Sequence, residues 1–407
     1  KSAVSLAMFA SSLLLLAVVA PADVLVVGGN GRVGASTVRW LDRLSRRSGE
    51  GTPPLKLAIG GRSAANFEAS RDRLGLRDLT FAPVDLDGGS EALAAAVRGA
   101  KLVVHTAGPF QGRSEPGLLS ACIAAGVPYC DVCDELVLSR NAKALSAEAA
   151  EAGISAVVSC GIWPGVSALM AAEAVERLGG PGACDRVELS FYTAGTGGAG
   201  PTIVSATFLL LATEVVTYVN GVLTHKEPWT ERRVVNFGHG IGEHECYLLD
   251  NPDVPTTAEA LGVANCASRF GTAPGVWNAL FGAMKALPAE LLYNRDAMQG
   301  LALFSMPIIR AVDALVGSTN AMRVDAYRKG AGGGGAGDKV TLRCVHPDLE
   351  DCVGQATAAF GMELLRGKGA TGDPTIGPGV WYPAELQADA RSNILAVARQ
   401  KTLVWEV

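Results

Sequence analysis

Charge is scarce in this 407-residue chain. Acidic and basic residues make up 18% of it and apolar residues 49%, which excludes a long intrinsically disordered protein. The length leaves room for two domains, each with its own core. A basic footprint is missing as well. The net charge is −5, which argues against nucleic acid as a partner, and no long run of one sign offers a charged tail. The nine cysteines keep no framework spacing. Cys130 and Cys133 form a C-x-x-C, but inside the strand-like VPYCDVCDE and with no second pair of ligands nearby. Reduced, buried thiols in a reducing compartment are expected, in place of a disulfide scaffold, a redox pair or a zinc site. His239, Glu243 and His244 in GHGIGEHE lack the H-E-x-x-H spacing, so they are assigned to a loop and no metal site is expected. No internal repeat is visible.

One long apolar run is present. Ala3 to Ala20 is uncharged over about 18 residues, the lower limit for crossing a bilayer. Lys1 precedes it, and Ala20-Pro21-Ala22 has the small-x-small pattern of a processing site. The first residue is Lys rather than Met, so residues upstream are expected to be missing. Residues 1–22 are read first as the remnant of a targeting peptide, with a membrane anchor or a packed native segment as alternatives.

From Val24 onward, short apolar runs alternate with helical stretches, the pattern of a parallel sheet with crossover helices. VLVV (24–27), LKLAIG (55–60), LTFAPVDL (79–86), KLVVHTAG (101–108), VPYCDV (127–132) and GISAVVSCG (153–161) read as six strands. They are rich in β-branched residues, as strands covered on both faces should be. After Pro164-Gly165 the pattern changes. Amphipathic, antiparallel-looking strands are expected at 186–194, 231–238, 245–250, 322–330 and 339–346, with apolar helices at 202–218 and 300–315. AGGGGAG (331–337) is expected to be a flexible hairpin loop. The predicted fold is α/β: a doubly wound parallel sheet over 23–165, completed by about 378–407, with an α+β domain inserted at 166–377.

Gly29-Asn30-Gly31-Arg32-Val33-Gly34 is G-x-G-x-x-G, with a strand before it and a helix after it, the context a dinucleotide site requires. Glycines admit a tight turn and a close backbone approach, and the helix start offers free N–H groups to a pyrophosphate. Gly28 precedes the motif and is included in the site. An NAD site usually ends its second strand on an acid that binds the ribose hydroxyls. Here Gly60-Gly61-Arg62-Ser63 has no acid, and a guanidinium pairs with phosphate. NADP(H) is therefore the expected cofactor, with Arg62 and Ser63 at its 2′-phosphate. Asp85 is placed near the adenine, and Ala107-Gly108-Pro109 beside the nicotinamide. His105 lies inside a strand and is read as a core residue. NADPH is an intracellular reductant, which argues against export.

These residues, VLVVGGNGRVG with GGRS, HTAGPF, GIWPGVSALM (161–170), GAGPTIVSATFLLL (198–211) and GVWYPAEL (379–386), make the chain resemble the saccharopine dehydrogenase-like oxidoreductases, and a plant and algal branch in particular. The resemblance implies a Rossmann domain completed by C-terminal segments, an inserted α+β substrate domain that often dimerises, and reduction of an imine by a nicotinamide hydride. From the branch it also implies an organellar, chloroplast location. One position departs from the family. Saccharopine-forming relatives typically carry an acid before the Pro-Gly of the crossing turn, where this chain has Trp163. An indole cannot bind an ammonium by charge or exchange a proton, so saccharopine is not the expected substrate. Asp131, Asp134 and Glu135 follow the fifth strand and, with Trp163, are the substrate-side candidates; helix capping is the alternative for the acids. GTGGAGPT (195–202) opens a helix and is read either as an anion site or as a plain connection. The expected protein is a homodimeric NADP(H)-dependent oxidoreductase of an imine-like, amino-acid-like or lipid-like small molecule. The alternatives are a cofactor-binding scaffold or sensor without turnover and a membrane-associated protein.

Overall fold

The computed structural model describes residues 22–47, 53–330, 338–366 and 374–407. The apolar run at 3–20 and the glycine-rich stretch at 331–337 lie outside the described residues. In chain order the strands are β1 Val24–Val27, β2 Leu57–Gly61, β3 Thr80–Pro83, β4 Leu102–His105, β5 Tyr129–Asp131, β6 Ser155–Val157, β7 Cys184–Ala194, β8 Val215–Val219, β9 Val222–Lys226, β10 Arg233–Asn236, β11 Glu243–Leu248, β12 Asn265–Ala273, β13 Asn320–Arg328, β14 Lys339–His346, β15 Gly379–Trp381 and β16 Val404–Glu406.

The first sheet runs β15-β6-β5-β4-β1-β2-β3, and its pairings are parallel throughout. All four residues of β1 are buried, because helices cover both faces. The order reverses beside β1, whose neighbours are β2 and β4. This is the switch point at which an open α/β sheet leaves a crevice beyond the strand ends. The second sheet runs β10-β11-β12-β7-β13-β14-β16, with β8 and β9 branching from β12. Helix Val166–Arg177 is buried along most of its length and packs in a core that also holds Val24, Val38, Val187, Leu189 and Met322. Hydrophobic burial therefore couples the two sheets rather than leaving two separate cores.

The α/β class read from the sequence is present, and four local expectations change. The helix expected at 202–218 is Pro201–Leu210, after which Val215-Val216-Thr217, a β-branched run, starts β8. β12 pairs parallel with β7, inside a sheet expected to be antiparallel; NCASRFGTA alternates too weakly to be read as a strand. Glu243 and His244, assigned to a loop, stand on β11. The C-terminal segment serves both sheets, since β15 joins the first and β16 pairs with β14 in the second. Helix Leu349–Arg366, from within the expected insertion, lies against helix Arg32–Ser45. A Cβ on Gly354 would come within 2.5 Å of the Ser36 side chain.

Candidate active site

The loop after β1 is shaped by what a Cβ would strike. Gly28 has φ +83°, and a Cβ there would lie 2.6 Å from the backbone of Ala107. The left-handed turn thus falls on Gly28, one residue before the G-x-G-x-x-G. Gly29 instead makes room for Ile59, at 2.9 Å from a built Cβ, and Gly34 for the Gly28 carbonyl oxygen, at 2.3 Å. Gly31 caps helix Arg32–Ser45 without any side-chain hydrogen bond, so the first-turn N–H groups of Arg32, Val33 and Gly34 remain available to an anion. Together with Gly108 and Pro109, this helix start lines a cleft of about 320 Å³. A cradle with no space for side chains and an uncapped helix start fit a dinucleotide pyrophosphate.

The remaining cofactor candidates lie at the ends of neighbouring strands. Arg62 is exposed just after β2. Ser63 caps helix Ala64–Leu74 by accepting a hydrogen bond from Asn66 N at 3.2 Å. Asp85 is exposed two residues beyond β3, where its Oδ1 accepts from Asp87 N. Asn30 is pinned through its carbonyl oxygen by Arg73 Nη2 at 3.2 Å, a contact not visible in the sequence pattern. Ala107 stands against Gly28, and the Gly108–Pro109 peptide is cis.

The four substrate-side candidates separate cleanly. Asp131 is buried and fully engaged: Oδ1 accepts from Cys133 N and Ser159 N, at 3.0 and 2.7 Å, and Oδ2 accepts from the Tyr129 hydroxyl. Burial raises its pKa to about 6 against these hydrogen bonds. His105 Nδ1 joins the chain by donating to Tyr129 Oη at 3.1 Å, and burial lowers the imidazole to about 4, so it is neutral. Asp131 thus acts as a tie between strand ends and is withdrawn as a substrate group. Glu135 caps helix Leu136–Ala144 through Val137 N, and its other oxygen holds Gly112 N at 3.0 Å. It too lines neither cavity.

Asp134 and Trp163 do line the cleft. Asp134 is exposed at the edge of the cleft, and Gln111 Nε2 donates to its Oδ2 at 2.8 Å. Loss of solvation raises its pKa to about 6, opposed first by the Gln111 hydrogen bond. Water within the cleft moderates that push. The Trp163 indole packs against Phe191, with ring centroids 5.1 Å apart.

Beyond Trp163 the cleft runs into a second, apolar cavity of about 400 Å³. Its wall includes Phe191, Phe208, Phe270, Trp277, Phe281 and Met284, none of which was singled out from the sequence. Gln111, Asp134, Trp163, Pro164, Ile203, Ala206 and Leu349 belong to both cavities. Asp250, also on the apolar wall, already accepts from Val216 N at 2.9 Å. At the far side of the cleft Arg32 pairs with Glu350 and donates to the Gly198 carbonyl oxygen, while Glu350 accepts from Gly200 N. The glycine-rich stretch at 195–202 is therefore bound to the nucleotide loop. Among the described residues, no group of three or more His, Cys, Asp or Glu side chains is arranged to hold a metal, and all nine cysteines are buried and unpaired.

Comparison with known proteins agrees with this geometry. Residues 24–157 match the family described as saccharopine dehydrogenase NADP binding domain. A Mycobacterium tuberculosis protein provisionally named a trans-acting enoyl reductase is 33% identical over 141 residues, 34% of this chain and 32% of that protein. The match thus spans about a third of that relative. Among solved structures, saccharopine dehydrogenase (L-Glu forming) from Saccharomyces cerevisiae superposes with a TM-score of 0.60 at 12% identity, covering 94% of this chain and 100% of the other. The homospermidine synthase of Legionella pneumophila, in complex with NAD, gives 0.60 at 10% identity, covering 93% and 89%. Residues 24–157 form an NAD(P)-binding domain of the saccharopine dehydrogenase type, in a chain that shares the fold of saccharopine dehydrogenase structures.

Proposed function

We propose that the protein is an NADP(H)-dependent oxidoreductase whose substrate is an apolar, lipid-like molecule. The observation that carries this reading is the shared wall. The nucleotide cleft and the apolar cavity meet at Trp163 and Asp134, so a cofactor ring beside Pro109 and a substrate among the aromatic side chains would share one junction. The cofactor supplies a hydride when bound. The chain's own residues hold its phosphates at Gly31–Gly34, exclude water with Trp163 and Phe191, and present Asp134 as the proton-bearing group. With its pKa raised above the usual carboxylate range, Asp134 keeps a proton to higher pH than a free carboxyl and is placed to donate to the carbon or heteroatom that gains the proton. Arg62, in a place without an acid, favours the 2′-phosphate of NADP(H).

Saccharopine fits poorly. The position before the Pro-Gly turn, where saccharopine-forming relatives carry an acid, offers an ammonium only the Trp163 indole, and the cavity beyond it is apolar. The name of the mycobacterial relative makes enoyl thioesters the first class to test. Stopped-flow NADPH oxidation against long-chain enoyl thioesters, keto compounds and imines is expected to show turnover with an apolar acceptor. Turnover confined to short charged amino acids would overturn the reading. A second reading has one observation in its favour: Asp134 is the sole titratable side chain common to both cavities. Tight NADPH binding without oxidation by any acceptor would favour a scaffold or sensor.

A further inference from the structure

Helix Arg295–Val316 is apolar on two sides. One side buries Met298, Ala302, Met306 and Ile309 over Val204 and Phe208. The other carries Leu301, Phe304, Ile308 and Leu315 at helical spacing, and Phe304 is 79% and Leu315 86% exposed. Val276, Leu280, Leu287 and Leu291 on the adjoining helices Gly275–Met284 and Ala289–Leu292, and on the link between them, are exposed as well. Exposed apolar side chains in such number, clustered on neighbouring helices, mark an interaction surface.

We propose that this face docks onto a phospholipid surface and that the apolar cavity takes its substrate from there. Three observations select lipid as the occupant. First, Leu280 and Leu301 are both exposed and both line the apolar cavity, so the cavity opens on this face. A lipid layer covers such a face and still feeds the opening, whereas a rigid protein partner would stop it. Second, from Ala297 to Val312 the single charged residue is Arg310, which is exposed and has no ion-pair partner among the described residues. A cation without an accompanying acid matches anionic headgroups. Of the acids near the helix ends, Asp313 is bonded to Thr196, Asp296 is next to Arg295 in the sequence, and Glu290 is exposed beside Leu291 on the adjoining short helix. Third, the helix is tied at both ends, by the Asn294 cap on Ala297 N and by Asp313, and its inner side roofs the cavity. It is held in the protein and lies along a surface rather than crossing one.

The role of the face in substrate supply rests on the apolar-substrate reading above; docking itself does not. The test is flotation of the full chain with vesicles of phosphatidylcholine alone and of phosphatidylcholine with phosphatidylserine, read without turnover. The parent protein is expected to float with both, and more strongly with the anionic vesicles. Phe304→Glu/Ile308→Glu, which alters only exposed side chains, is expected to lower the bound fraction about tenfold or more, with NADPH binding unchanged as the folding control. Arg310→Gln is expected to cost about fivefold on anionic vesicles alone, the worth of one cation at such a surface. Flotation of the double variant equal to the parent would overturn the proposal, because residues elsewhere would then hold the membrane. So would a non-floating parent that forms a dimer broken by the double variant, since the face would then join two copies of the chain. Flotation with no NADPH oxidation would leave docking intact and remove the proposed reaction; the reverse result would do the opposite.

Discussion

The two cavities that meet at Trp163 are built by opposite means. The phosphate-binding side of the nucleotide cleft is made of backbone, with glycines that have no room for a Cβ, an uncapped helix start and a cis-proline turn, drawn from the loops after β1 and β4. The apolar cavity is made of side chains, with aromatic rings from β7, β12 and the helices Pro201–Leu210 and Gly275–Met284. Backbone sites tolerate little change and bind one kind of ligand, whereas a wall of aromatic and aliphatic side chains can vary its shape by substitution. The family match follows much the same division, since it covers 24–157 and ends before Trp163 and the aromatic side chains of the apolar wall.

The largest effect should come at the junction. Asp134→Asn is expected to slow reduction by about 100- to 10,000-fold, the usual worth of a positioned acid, with NADPH binding preserved. In the parent protein the rate is expected to fall as pH rises from the ordinary carboxylate range toward about 6, where Asp134 loses its proton, and the variant should lack that limb. A pH–rate profile of both checks this. On the nucleotide side, Gly34→Ala would put a Cβ 2.3 Å from the Gly28 carbonyl oxygen. Strain of about 3 kcal/mol at such a position should weaken NADPH by about a hundredfold in a fluorescence titration. Arg62→Ala should weaken NADPH by about ten- to a hundredfold, at about 1.5–3 kcal/mol for a contact with charged phosphate, and leave NADH nearly unchanged. Equal losses for both cofactors would remove Arg62 from the 2′-phosphate.

The smallest effect separates Asp131 from Asp134. Its raised pKa means that the folded protein holds a proton that the unfolded chain releases near 4, so this contribution to stability is full below 4 and is lost as pH rises through about 6. Asp131→Asn should flatten that part of a Tm-versus-pH curve and leave the pH–rate profile as it was. Movement of the rate profile instead would assign Asp131 a role in the chemistry.

The same contrast explains what the sequence makes legible. The cleft is written locally: strand, glycines and helix follow one another between Val24 and Ser45, and Pro109 follows β4 directly. The position of Trp163 is visible because the Pro-Gly turn marks the crossing between sheets. Asp131, Asp134 and Glu135, in contrast, form one acidic cluster on paper. Only folding shows Asp131 facing the backbone of Cys133 and Ser159, Glu135 facing Gly112 and Val137, and Asp134 facing the cavity. Phe191 and Phe281 meet around one space only through nonlocal packing, and nothing in their spacing announces it. The helix expected at 202–218 fails for a related reason, since the apolar residues after Leu210 serve a strand that pairs with β12, far along the chain.

The central claim is that a hydride site opens directly into an apolar cavity, and single-turnover NADPH oxidation across a chain-length series of one acceptor tests it most directly. Each added methylene buried in the cavity is worth about 0.8 kcal/mol, so the acceptor should bind up to about fourfold more tightly per methylene until the space is filled. Affinity and rate that stay flat with chain length, or that decline from the shortest member, would contradict the account.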